Sequence, residues 1–151
     1  MKNKILLFSF ATVILLILII SFLISPSYQK SIEAKYYYEM GSYKIAYSLA
    51  NEAFSMDVYN RMASTIMAQS KTSLKYVSYL DDAKKYIKDI DTIAADGSIT
   101  DAQRAKIKIM CKIMIDSYPK LAPSVITDKT LVDDAQKYFD KFEKLLVQVD
   151  R

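Results

Sequence analysis

The sequence predicts an all-α fold, and three observations carry the expectation. Two glycines and three prolines in 151 residues, among many Ala, Lys, Leu, Ile and Met, leave few points at which a helix has to stop. Apolar residues recur at intervals of three and four over most of the chain, the spacing that gathers them on one side of a helix. No segment alternates apolar and polar residues between hairpin turns, so no strand is predicted.

The first element is the N-terminal hydrophobic run. Ile5 to Ile24 carries no charge, with Lys2 and Lys4 before it and Ser25-Pro26 after it. At about 1.5 Å per residue it makes a helix roughly 30 Å long, the thickness of a bilayer's hydrocarbon core. Residues 5–24 are therefore predicted as a transmembrane helix within an N-terminal anchor, residues 1–25, and residues 26–151 as a soluble helical domain. A cleaved signal peptide has a shorter apolar stretch, about 7 to 15 residues, ending at a small-x-small site. The nearest approach to such a site, Ser25-Pro26-Ser27, contains a proline, so the run reads as an uncleaved signal-anchor. Lys2, Lys4 and the terminal amine crowd one end of it, which predicts a cytoplasmic N-terminus and an extracytoplasmic domain, periplasmic or extracellular.

Six helices are expected after the anchor. Ser25-Pro26 supplies an N-cap and a first helical residue, and Gly41 ends that helix after Met40. Ser42 caps the next, with Tyr43, Ala46, Tyr47, Ala50, Ala53 and Phe54 on one side. Asp57 caps a third, and beyond the polar stretch Lys71 to Lys75 a fourth aligns Tyr79, Ala83, Tyr86, Ile87, Ile90 and Ile93. Thr100-Asp101-Ala102-Gln103 has the form of a capping box and opens a fifth helix, apolar around most of its circumference and so predicted to be central. Pro119 and Pro123 break it, and Thr130 caps a sixth with Leu131, Ala135, Tyr138, Phe139 and Phe142 inward.

Composition narrows the chemistry. Without histidine there is no imidazole acid–base pair or His-ligated metal, and a lone Cys111 makes neither an intramolecular disulfide nor a thiolate cluster. Two glycines cannot build a phosphate-cradling loop or a nucleophile elbow. The expectation is a protein without catalytic, cofactor or metal residues. Asp96-Gly97-Ser98-Ile99-Thr100 resembles half a calcium loop, but Thr92 and Ala94 occupy ligand positions that need acids, so Gly97 reads as a helix stop. The formal charge is +4, of which Lys2 and Lys4 supply two, and residues 81–151 carry 13 basic and 13 acidic side chains, which argues against nucleic acid. The row Arg104, Lys108, Lys112 reads as a solvated face rather than an acid-binding site, and Cys111 as a core residue.

Leu80-Asp81-Asp82-Ala83-Lys84-Lys85-Tyr86-Ile87 recurs as Val132-Asp133-Asp134-Ala135-Gln136-Lys137-Tyr138-Phe139. Repeated helical units raise the question of a solenoid. Residues 34–57 resemble a tetratricopeptide repeat: Ala34 and Tyr37 on a first helix, Gly41 in the turn, then Tyr43, Ala46, Ala53 and Phe54. A degenerate second unit is placed over Tyr59 to Ala95, with Ala83 at its small site. The resemblance implies a TPR-like helical-hairpin array on a membrane anchor, a scaffold or accessory subunit of the cell envelope that binds a protein partner.

Tyrosine is the residue to carry such binding. Tyr36, Tyr37 and Tyr38 are consecutive, so one helix cannot bury all three, and Tyr43 and Tyr47 follow on the next helix. These five are the candidate partner-binding residues. The alternative is a membrane-anchored small-ligand-binding or sensor bundle, with a pocket among Tyr86, Met110, Met114 and Tyr138.

Overall fold

Helix punctuation in this chain is sparse, and the structure follows it. A computed structural model describes residues 2–95, 97–124 and 127–150, the side chains of 2–6 and 22–24 excepted. Its elements are α1 (Lys2–Ile24), α2 (Pro26–Glu39), α3 (Tyr43–Met56), α4 (Arg61–Ala95), α5 (Asp101–Ser117), a 3-10 turn (Tyr118–Leu121) and α6 (Lys129–Asp150). The protein is all-α, with no strand among the described residues. It divides into two compact units, Met1–Ser70 and Lys71–Arg151.

In the first unit α2 and α3 form a hairpin. Pro26 occupies the first turn of α2, where its missing N–H is no loss. At the other end Gly41, at φ +74°, donates to the Tyr38 carbonyl, and Ser42 donates to that of Tyr37. This pair of bonds is the Schellman arrangement, which needs a left-handed residue at the position glycine holds. Ala34, Ala46 and Ala50 are buried where the hairpin closes, together with Ile66 from the start of α4. Their short side chains let helix backbones approach, and Tyr37, Tyr38, Leu49, Met62 and Met67 fill the flanks.

A buried polar cluster joins the three helices at the opposite end from Gly41. The Asn60 amide nitrogen donates to Ser27 Oγ at 2.8 Å and to Ser31 Oγ at 2.9 Å. Ser27 Oγ in turn donates to the Ala53 carbonyl of α3, and Ser31 Oγ to the Ser27 carbonyl. The remaining Asn60 oxygen accepts from the Ala63 amide, so the same side chain caps α4. Asp57, expected as that cap, instead accepts from Tyr59 N and shapes the turn before it.

The helix predicted to break near Lys71–Lys75 does not break. α4 runs unbroken for 35 residues because nothing in that stretch is a helix breaker. Its buried positions continue through it as Ile66, Ser70, Ser73, Tyr76, Leu80 and Ala83, with serines in two of the apolar slots. The helix-turn-helix placed over Tyr59 to Ala95 is therefore absent.

The second unit is built from the later part of α4 with α5, the 3-10 turn and α6. Its core gathers Tyr76, Tyr79, Leu80, Ala83, Ile90, Ile107, Met110, Cys111, Met114, Leu121, Ala135 and Phe142. The capping box forms as read: Gln103 N donates to Thr100 Oγ1 at 3.2 Å, and Thr100 N to Gln103 Oε1 at 2.9 Å. α5 is not central. It buries Ile107, Met110, Cys111 and Met114 on one side and leaves Ile109 and Ile113 exposed on another. Asp128, two residues before the expected Thr130, starts α6: its carboxylate accepts from Thr130 N.

Every described side chain of α1, residues 7–21, is exposed. Among the described residues no single helix is long and apolar enough to cross a membrane. Leu7–Ser21 and Pro26–Glu39 pass that test only as a pair, bent by 65°. Of the predicted span 5–24, the side chains of 5, 6 and 22–24 lie outside the described residues.

Candidate functional site

The five candidate tyrosines have different environments. Tyr36 is exposed at 60% and meets Tyr37 edge to face, with ring centroids 5.6 Å apart. Tyr37 and Tyr38 are half-buried against the alanine seam. Tyr43 is buried at 7%, its ring edge to face with Tyr38 at 5.4 Å, and Tyr47 is half-buried. The helical angle forces this division, since three consecutive residues span about 200° of a helix surface.

Tyr36 does not stand alone. Ile32 is exposed at 48% and Met40 at 65%, so α2 and its C-cap present an apolar row at steps of four. An open groove of about 390 Å³ lies beside the row. Tyr38, Met62 and Ile66 give it apolar surface, and Lys35, Glu39 and Arg61 charged surface. Lys35 and Glu39 are paired at 3.7 Å on the exposed side of α2. Ile32, Met40 and the groove residues on α4 are not among the five residues the sequence assigns to partner binding. The spacing of 32, 36 and 40 was the available signal for the row; the groove requires α4 to be packed beside α2.

Other sequence features have structural employment. Arg104 donates to the Val149 carbonyl at 3.2 Å, and Lys108 pairs with Asp150 at 2.6 Å, so the basic row holds the last turn of α6, where a helix favours cations. The hydrogen bond from Lys108 holds the Asp150 carboxyl below its ordinary value. Cys111 is fully buried and its thiol pKa is raised by that burial, which suits a core residue. Met110 and Met114 are buried in the core, and Tyr86 and Tyr138 pack against it. The four side chains expected to line one ligand pocket are not gathered in one: Met110 and Met114 fill the core, and Tyr138 borders open grooves at its edge. Tyr79, also in this core, has its phenol pushed up to about 12 by burial and by neighbouring Tyr118, and its hydroxyl has no hydrogen-bond partner among the described residues.

Among the described residues no group of three or more Cys, Asp or Glu side chains is placed to hold a metal. Asp96, the first residue of the calcium-loop resemblance, lies outside the described residues; α4 ends at Ala95 and Gly97 takes φ +73°.

The model of a family described as an effector from type III secretion system matches residues 20–144. No curated protein and no solved structure matches the chain. The family match overturns the tetratricopeptide resemblance, whose small and aromatic positions are those any close helical hairpin requires. It likewise overturns the expected cell-envelope scaffold, a single-pass membrane protein with an extracytoplasmic domain, and the anchored ligand-sensor bundle weighed against it. The family description points to secretion in place of residence in the envelope. With the match spanning most of its length, the chain belongs to the family of effectors from the type III secretion system.

Proposed function

We propose that this protein is a secreted effector, delivered into a host cell, that acts there by binding a protein rather than by catalysis. The family match supports delivery. The exposed row Ile32, Tyr36 and Met40 carries the binding part of the reading. A large aromatic between two exposed aliphatic side chains, next to a groove with charged residues around apolar ones, has the makeup of an interface core with a polar rim. Non-catalytic action is supported by the absence of histidine and by the buried, protonated state of the only thiol.

The test is quantitative capture of a host protein by the full chain after mild crosslinking. Tyr36→Ala should weaken recovery by over about 1 kcal/mol, roughly fivefold, while circular dichroism stays unchanged because the ring is mostly in water. Lys112→Gln should leave recovery as it is, since an isolated exposed charge contributes little. Loss of capture from Lys112→Gln with none from Tyr36→Ala would defeat this assignment.

A further inference from the structure

The repeated octapeptide acquires a shared location in the fold. Its first copy lies on α4 and its second on α6, and Ala83 and Ala135, the equivalent alanines, are both fully buried in the core of the second unit. Outside those alanines the two copies line one surface. Leu80 and Lys84 from the first copy meet Asp134, Lys137 and Tyr138 from the second in an open groove of about 390 Å³. A second groove, about 540 Å³, shares Lys84 and Tyr138 and continues past Ile87 and Lys88 to Ala95.

Charge along this surface is arranged in two rails. Lys84 and Lys88 are spaced i, i+4 on α4; Lys137 and Lys141 have the same spacing on α6. Four lysines face two aspartates, Asp91 and Asp134, and Asp134 is engaged by Lys137 at 2.8 Å. Lys84, Lys88 and Lys141 form no ion pair among the described residues. The apolar lining of the two grooves is Leu80 and Ile87, seven apart on α4, and Tyr138 on α6.

We propose that this surface, distinct from the Tyr36 face, docks an acidic amphipathic helix of a protein partner. Such a helix would seat its apolar stripe on Leu80, Ile87 and Tyr138 and aim carboxylates to both sides, as flanking charges do in paired helices. Lysines four apart on a helix are separated by about 6 Å along its axis, which matches carboxylates four apart on a helix lying in the groove. The excess of cations selects the sign of the partner and accelerates its encounter. Each copy of the octapeptide thus gives its alanine to the core and one lysine, Lys84 or Lys137, to a rail.

Fluorescence anisotropy with the full chain tests this. The probe is a labelled three-heptad peptide with Leu at a and d, Glu at e and g, and Ala and Gln elsewhere; its control has Gln at every e and g. The Glu peptide should bind at least about tenfold more tightly than the control, and added salt should weaken it. Lys84→Glu combined with Lys141→Glu should weaken it by at least about tenfold, and Tyr36→Ala should leave it unchanged. If the double charge reversal alters the circular dichroism, Lys84→Gln with Lys141→Gln provides the same comparison. Equal affinity for the two peptides, no binding of either, or binding lost with Tyr36→Ala instead of the lysine changes would overturn the proposal. Lysine-dependent binding of phosphatidylserine vesicles or of a single-stranded oligonucleotide, in preference to the Glu peptide, would assign the rails to those anions and overturn it as well.

Discussion

The two units use opposite means to hold helices together. The first brings α2 and α3 close through alanines and ties them to α4 through Asn60, Ser27 and Ser31. The second fills its interior with Tyr76, Ile107, Met114 and Phe142 and leaves hydrogen bonding chiefly to its surface. Close approach limits the apolar area available per residue, so the first unit depends on the bonded cluster of Asn60, Ser27 and Ser31, while Ser70 Oγ at its end is buried without a partner among the described residues. Bulk packing asks for volume and shape, and even leaves the Tyr79 hydroxyl unpartnered.

The largest effect should come from the second unit's volume. Phe142→Ala, at a fully buried site, should destabilise it by about 3–5 kcal/mol through lost burial and a residual cavity. Hydrogen exchange over residues 71–150 reads this directly. A small loss there would show that the core collapses around the gap and that its packing is looser than described.

Next in size is Asn60→Ala, which removes the α4 cap and two donors to buried serines at once. A loss of about 2 kcal/mol is expected, concentrated in exchange of residues 26–70. Protection lost instead from α5 and α6 would contradict the division between a polar-tied and an oil-filled unit.

Tyr79→Phe should be neutral or raise stability by up to about 1 kcal/mol, because it deletes a buried hydroxyl that has no partner. It should also remove an alkaline transition. The phenol is held near 12 in the folded protein against 10.0 for the free group, so folding retains the proton. That contribution is whole below about pH 10 and is lost as pH rises toward 12. Urea melts across that range should show a shallower decline in the Phe variant than in the parent.

The smallest expected effect is at the surface of the second unit. Asp150 is held below its ordinary 3.8 by Lys108, so the pair's contribution is present above that pH and fades as pH falls through the lower folded value. Lys108→Gln should return the Asp150 carboxyl toward 3.8 in an NMR titration while leaving the melting temperature nearly unchanged.

Helix ends were legible wherever a single residue type enforces them. Pro26, Gly41 and the Thr100–Gln103 box are local devices, and each ends or begins a helix where it was read, whereas Ser25 and Ser42 stand at N-cap positions without a side-chain capping bond. The continuity of α4 was hidden because serines stand in its buried stripe, and a search for apolar periodicity treats Ser70 and Ser73 as a gap. Admitting small polar residues to the stripe restores it. Asn60 was missed for another reason: its partners are 29 and 33 positions away, and no local pattern marks a side chain that caps one helix and fastens another. For the candidate site, the sequence indicated that three adjacent tyrosines must divide their exposure but not which one faces water. That depends on where Ala34 meets Ala46 and Ala50, a fact of packing.

The three-residue connection Met40–Ser42 has a kinetic consequence. It places α2 and α3 side by side immediately after α2 is complete, and the bonds to Tyr37 and Tyr38 that fix the turn span only five and three residues. Closing so short a loop takes roughly 10–100 ns, and domains dominated by such near-neighbour contacts fold within microseconds to milliseconds. After any local opening, this hairpin re-forms before a diffusing protease or chaperone has many chances to meet it.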